Sequence, residues 1–154
     1  MTILIRPAAA EDCAAIAAIA DATLFPADML GPMIAPFLND PDCRHVWSVA
    51  TQESRVVGFT YCEPERMTHG TWNLLAIGVE PAMQRRGAGA RLMAALETDL
   101  AKAGARILIV ETSGLDAYAR TRAFYTRLGY DREASIRDFY DAGEDKIVFR
   151  KALG

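Results

Sequence analysis

The chain has 154 residues, of which 51% are hydrophobic and 24% charged, so it can bury a sizeable core and is expected to form a single domain over residues 1–154. Its net charge of −3 argues against a general nucleic-acid-binding protein, because such proteins need a basic face. The sequence has no apolar run near the ~18 residues of a membrane span and no signal-peptide pattern. We therefore expect a cytoplasmic protein that has no membrane partner.

The first part of the chain predicts a strand, two helices and a hairpin. A strand over residues 2–6 precedes apolar residues at helical spacing through about residue 24, and Phe25-Pro26 ends that helix. A second helix over about 27–38 ends at Asn39-Asp40-Pro41. Segments 46–51 and 55–62 are rich in β-forming residues and predict a hairpin, in which Gly58 marks a bulge or a close contact.

The second part predicts strands that alternate with two helices. Strand Thr71–Val79 leads into a glycine loop, and Gly78 is expected to relax this strand so that backbone groups become free for a ligand. A helix follows over about 87–103, and the apolar run 107–110 is typical of a strand covered on both faces. A helix from near Asp116 to Gly129 and strands near 130–138 and 144–151 complete a mixed sheet.

The glycine loop, Gln84-Arg85-Arg86-Gly87-Ala88-Gly89-Ala90, is the strongest functional signal. Glycines let the backbone approach a ligand, and the first turn of a helix presents amides that have no partner inside the helix. Arg85 and Arg86 lie at the positive end of the helix dipole, which is unfavourable unless a polyanion binds there. Leu92 replaces the third glycine of a dinucleotide fingerprint, and no Walker sequence follows. The loop therefore predicts a pyrophosphate site that belongs to neither nucleotide-binding motif.

Two motifs together resemble the GNAT acetyltransferase superfamily. One is Gln-x-x-Gly-x-Gly after strand residues 75–79, and the other is Ala123-Phe124-Tyr125-Thr126-Arg127-Leu128-Gly129-Tyr130. The resemblance implies an α/β (α+β) fold with a mixed, mostly antiparallel sheet of about six or seven strands, about four helices, and a splay at the acyl-CoA site. It implies that acetyl-CoA is the cosubstrate and is bound by Ile77, Gly78, Val79, Gln84, Arg85, Arg86, Gly87, Ala88, Gly89, Ala90, Thr121 and Phe124.

The resemblance also places Tyr125 beside the thioester sulfur. A phenol, whose reference pKa is about 10, stays protonated at neutral pH and can act as a general acid. The acceptor is then an amine of a small molecule, an amino acid or a peptide, approached from the side of Trp72, Asn73 and the segment 25–38. Asn73 stands where some family members have a glutamate base, which leaves four substitutes: Glu63, Glu65, His69 and Glu111. We expect no metal, since the two histidines lack metal-ligand spacing.

Two alternative functions follow from the same residues. A non-catalytic acyl-CoA-binding or sensing module is favoured by Asn73, whereas Tyr125 favours the enzyme because a pure binder needs no proton donor. A nucleotide-binding module would instead bind ATP or NAD. The open edges of a mixed sheet also make a homodimer an expectation.

Overall fold

The computed structural model describes residues 2–23 and 27–154 as one sheet with helices on both faces. The strands are β1 (Ile3–Pro7), β2 (Val46–Gln52), β3 (Arg55–Pro64), β4 (Thr71–Val79), β5 (Ile107–Ser113), β6 (Asp131–Asp141) and β7 (Glu144–Ala152). The helices are α1 (Cys13–Ala22), α2 (Leu30–Asn39), α3 (Ala88–Lys102) and α4 (Ala119–Arg127). In the described ranges, no helix is long and apolar enough to cross a bilayer. The predicted end of the first helix at Phe25-Pro26 lies outside the described residues.

The sheet has the order β1-β2-β3-β4-β5-β7-β6, and among these strands β4 and β5 form the parallel pair. Four residue pairs join them, from Thr71 with Ile107 to Leu74 with Val110. Beyond this point β4 runs on to Val79 and β5 to Ser113, so the two strands separate. The predicted mixed, mostly antiparallel and splayed sheet is confirmed.

The β2–β3 hairpin turns through Glu53 and Ser54, whose φ angles of 52° and 66° suit a two-residue turn. Its register shifts next to Gly58, so that Val57 is an extra residue on β3. A Cβ atom on Gly58 would lie 3.0 Å from the carbonyl oxygen of Gly78 and from the side chain of Leu92. Gly58 therefore lies both beside a bulge and at a close contact, as the two interpretations of the sequence proposed.

Separate cores form on the two faces of the sheet. Helices α1 and α2 cover Trp47, Phe59 and Tyr61 on one face. On the other, α3 and α4 cover a core that contains Leu96, Leu108, Tyr125 and Phe149. Trp72 belongs to this second core and is only 7% exposed, so its side chain is not available to an acceptor. An acceptor on this side would therefore not contact the Trp72 side chain, and the side of approach stays a prediction.

Candidate active site

A cleft of about 180 Å³ opens where β4 and β5 separate. Residues 74–77 of β4 and residues 110–112 of β5 form its two sides. Tyr118, Thr121 and Tyr125 line it from the region of α4, and Thr23 lines it from the end of α1. The parting of the strands thus brings residues from four separate segments to one site.

A bulge in β4 lies directly at this cleft. Tyr61 of β3 pairs with Ala76, but the next residue, Cys62, pairs with Leu74, so Leu75 has no partner on the described β3. Leu75 is 42% exposed although it sits in the middle of a nine-residue strand. A bulge leaves backbone groups outside the hydrogen-bond ladder and re-aims the strand. The free backbone that we expected near Gly78 therefore lies at Leu75.

Close packing by Phe59 and α1 explains why residue 78 is a glycine. It pairs in register with Phe59, and a Cβ atom there would lie 2.7 Å from the Phe59 ring and 3.1 Å from the side chain of Ile19. Gly78 thus lets α1 and Phe59 pack closely on β4. The expectation that Gly78 relaxes the strand is wrong, because Gly78 and both of its neighbours pair in regular register with β3.

The glycine loop turns the chain from β4 into α3. Arg85 and Gly87 both have positive φ angles, of 66° and 87°, which is unusual for arginine and common for glycine. Helix α3 begins at Ala88, and the N–H of Arg91 is bonded to the carbonyl of Gly87 at 3.0 Å. The amides of Ala88, Gly89 and Ala90 therefore form the first helical turn and have no acceptor inside the helix. Such a turn suits an anion.

Gly89 joins this loop to the rest of the site. A Cβ atom at Gly89 would lie 3.2 Å from the Phe124 ring and 3.7 Å from the side chain of Val79. The close contact brings the end of β4, the start of α3 and the middle of α4 together. Three of the predicted cofactor-binding residues are thereby neighbours in space.

The polar side chains of the loop have unequal roles. Gln84 donates a hydrogen bond from Nε2 to the carbonyl of Val79 at 3.2 Å, which fastens the loop to the end of β4. Arg85 and Arg86 are exposed and extend from the same turn. Gln84 is thus a positioning residue, and the two arginines are the side chains free to reach a ligand.

Tyr125 is 2% exposed and lies at the inner wall of the cleft. Its ring packs against Phe124, Tyr130 and Phe149 with centroid distances of 5.3, 5.8 and 5.6 Å. Burial raises the pKa of this phenol well above its ordinary value. The hydroxyl therefore stays protonated at any physiological pH.

Asn73 and its neighbours form a polar group at the β3–β4 pairing. Asn73 is 4% exposed and donates from Nδ2 to Oε1 of Glu65 at 3.0 Å. Its Oδ1 has no hydrogen-bond partner among the described residues. Glu63, opposite Asn73 in register, lies 3.5 Å from Nε2 of His45. These carboxylates thus interact with Asn73 and His45, and neither lines the cleft.

Two candidate bases remain, and only one is at the cleft. His69 precedes β4 at the end where the strands are still paired, and its carbonyl accepts a bond from Arg106. Glu111 follows Val110, the last residue of β5 that pairs with β4, and lines the cleft together with Tyr125. Its Oε2 lies 2.7 Å from Nζ of Lys146. The sequence proposed Glu111 as one of four substitutes for the glutamate base of the family. Of these four residues, Glu111 is the one that lines the cleft where β4 and β5 separate.

A family model for acetyltransferases of the GNAT family matches residues 12–130. The chain belongs to the GNAT family of acetyltransferases. Among solved structures, this acetyltransferase is similar to a protein from Desulfovibrio desulfuricans that is assigned to the same family. The two share 31% identity over 99% of this chain and 100% of that one, with a TM-score of 0.93. A search of curated proteins gave no significant match.

Two further structures share the fold at lower identity. The ribosomal-protein-S18-alanine N-acetyltransferase from Escherichia coli is 23% identical over 99% of this chain and 95% of its own, with a TM-score of 0.80. An aminoglycoside 6'-N-acetyltransferase complexed with coenzyme A is 17% identical over 98% of this chain and 97% of its own, also with a TM-score of 0.80. The fold of this acetyltransferase thus occurs with a bound coenzyme A.

Proposed function

We propose that this acetyltransferase moves an acetyl group from acetyl-CoA to the amine of a small molecule, amino acid or peptide, by direct attack of the amine on the thioester. The observation that carries the proposal is that a buried, protonated phenol, Tyr125, and a carboxylate, Glu111, line one cleft where β4 and β5 separate. A proton donor and a proton acceptor at one site are what this reaction needs.

The residues present fit acetyl-CoA. The first-turn amides of α3 and the exposed Arg85 and Arg86 suit the pyrophosphate, and the cleft suits the narrow arm that leads from it. Acetyl-CoA supplies an activated acyl group and a thiol as the leaving group. We infer that Ile77, Gly78 and Val79 contact the arm through the unpaired edge of β4, and that Thr121 and Phe124 bound it from α4.

The backbone at Leu75 supports a further step. Because the bulge frees it from the β3 ladder, its polar groups can face the cleft instead of a neighbouring strand. A backbone donor aimed at the carbonyl oxygen stabilises the charge that develops on this oxygen during attack. The fixed strand supplies the donor without reorganisation.

Tyr125 and Glu111 each carry out one of the two proton transfers. The acceptor amine must lose a proton, since an alkylamine has a pKa near 10 and is mostly protonated at neutral pH. We assign this proton to Glu111, directly or through a water molecule. Tyr125 gives its proton to the departing sulfur, and Lys146 holds the Glu111 carboxylate in place from β7. Asn73 then needs no catalytic role.

The decisive experiment measures release of free CoA thiol with a panel of primary amines. We expect Tyr125→Phe and Glu111→Gln each to lower kcat by about 100-fold, the lower range for loss of a general acid or base. Acetyl-CoA affinity, measured by calorimetry, should stay within threefold. Tyr118→Phe removes another phenol from the same wall and should cost less than tenfold. Equal loss in Tyr118→Phe and Tyr125→Phe would contradict the assignment of the acid.

A sensing module without catalysis is the second candidate, favoured by one observation. The Glu111 carboxylate already has a partner in Lys146, and the position of the family's glutamate holds Asn73. If acetyl-CoA binds tightly but no amine in the panel releases CoA, the sensor is the better description. Stabilisation by ATP or NAD but not by CoA in a thermal shift experiment would exclude both.

A further inference from the structure

Strand β6 leaves the sheet for four residues next to the cleft. Ile136 pairs with Lys146 and Asp141 pairs with Glu144, so residues 137–140 stand opposite a single residue of β7. This excursion is held in place at its base. The N–H of Asp138 donates to Oδ1 of Asp145 at 3.0 Å, and Oδ1 of Asp138 accepts the N–H of Gly143 at 2.9 Å. The excursion is therefore a defined element of the hairpin.

The excursion carries two aromatic rings to the Glu111 end of the cleft. Nζ of Lys146, which binds Glu111, lies 4.1 Å from the centre of the Phe139 ring. The Phe139 and Tyr140 rings meet edge to face at 5.1 Å. Burial raises the pKa of the Tyr140 phenol, and the nearby Glu111, Glu144 and Tyr118 add to the rise. Tyr140 is thus linked through Phe139 and Lys146 to Glu111, which lines the cleft.

Several exposed apolar side chains lie on segments that adjoin the cleft. Eight large apolar side chains of the described residues are exposed by two-fifths or more, and five of them lie on β4, on β6 or in the turn after β5: Leu75, Leu115, Ile136, Phe139 and Tyr140. Leu75 lines the cleft itself, Leu115 begins the turn that carries Tyr118, and Ile136 pairs with Lys146. A cluster of exposed apolar surface next to a cleft marks a binding surface.

We propose that Phe139 and Tyr140 form the wall that selects the acceptor, and that the acceptor is a primary amine carried on an aromatic or other flat apolar body. This inference rests on the proposed function and specifies its substrate class. The amine points to Glu111, and the body packs against the two rings.

The charges at the wall disfavour an acceptor with several positive charges. Lys146 already places an ammonium against the Glu111 carboxylate and over the Phe139 ring. The reacting amine becomes neutral when it loses its proton, whereas any further ammonium on the acceptor stays charged and is repelled by Lys146. A polyamine or aminoglycoside therefore fits this wall less well than an arylalkylamine.

The test compares acceptors and variants at saturating acetyl-CoA. We expect kcat/KM to be about tenfold or more higher for 2-phenylethylamine than for n-butylamine or spermidine, since stacking an aromatic body contributes on this scale. Phe139→Ala and Tyr140→Ala should each remove most of this preference by raising KM for 2-phenylethylamine, with little change for n-butylamine. Leu4→Ala removes another exposed apolar side chain from β1, at the opposite edge of the sheet, and should change neither value.

Other outcomes overturn the inference. The apolar wall would be rejected if the enzyme preferred spermidine or a peptide N-terminus. It would also be rejected if Phe139→Ala lowered kcat/KM equally for all amines. Both results would leave the acetyltransferase assignment intact. Absence of CoA release with every amine, together with tight acetyl-CoA binding, would reject the proposed function and this inference together. Thermal unfolding of each variant separates loss of the fold from loss of selectivity.

Discussion

At position 89, both the packing of α3 on α4 and the proposed binding of a phosphate favour a residue without a side chain. Any side chain there meets Phe124 at 3.2 Å, and its amide belongs to the first turn of α3. Glycine at this position therefore relieves the contact between α3 and α4, and it would also let a phosphate approach the backbone closely. The sequence suggested only the second reason.

We predict that Gly89→Asp weakens acetyl-CoA binding far more than Gly89→Ala does. Both variants add the same Cβ atom against Phe124, but only Asp places a negative charge at amides that would bind a pyrophosphate. We expect about tenfold or more between the two dissociation constants, which is ~1.4 kcal/mol or more in binding free energy. Isothermal titration calorimetry with acetyl-CoA measures both. Equal affinities would show that the first turn of α3 does not hold the phosphates.

At the scale of elements, the start of α1 is held by an ion pair between the exposed Arg6 and the buried Asp12. The Asp12 side chain, 5% exposed, accepts bonds from Nη1 and Nη2 of Arg6 at 2.7 and 2.9 Å and from the N–H of Ala9 at 2.8 Å. The hydrogen bonds from Arg6 lower the pKa of Asp12. This pair fixes α1 to β1, and α1 in turn packs on Gly78 at the far side of the cleft strand.

Asp12→Asn should therefore lower the free energy of unfolding at pH 7 by about 1–2 kcal/mol, the cost of losing charge-assisted hydrogen bonds. A depressed pKa in the folded state means that the stabilisation is present above the unfolded value of about 4 and is lost as the pH falls through the lower folded value. The difference between wild type and variant should then shrink below about pH 4. Urea unfolding across pH 3–7 measures it, with the exposed neighbour Glu11→Gln as the control. A difference that is constant across this range would contradict the ion pair.

At the scale of the whole molecule, the splay that creates the site also weakens the sheet. Strands β1–β4 and β5–β7 meet through only four residue pairs in the described structure. The second group is tied instead through α3: Glu97 accepts the hydroxyl of Tyr130 at 2.7 Å and Nζ of Lys151 at 2.9 Å. Lys151 also binds the carbonyl of Leu128 at the end of α4. Helix α3 thus connects the two groups of strands. It also holds Tyr130, whose ring packs against the ring of Tyr125.

Loss of the hydrogen bonds that Glu97 makes should lower the stability of the whole protein. We predict that Glu97→Ala lowers the free energy of unfolding by about 2 kcal/mol, because it leaves a buried phenol and a lysine without their shared partner. The exposed Asp99→Ala on the same helix should change it by less than about 0.5 kcal/mol. Urea unfolding followed by circular dichroism measures both. If Glu97→Ala were no more destabilising than Asp99→Ala, the bridge would not hold the two groups of strands.

The sequence by itself determined the family and the order of the elements, because these depend on local patterns: alternation in strands, the apolar stripe of α3 and the spacing of Gly87 and Gly89. Only the tertiary structure decided that Leu75 is the bulge, that Gly78 is a packing residue, and that Glu111 is the carboxylate at the cleft. These depend on which residue pairs with which across strands, and on the point at which β4 and β5 separate. Register and separation arise from contacts distant in sequence, so no local pattern carries them.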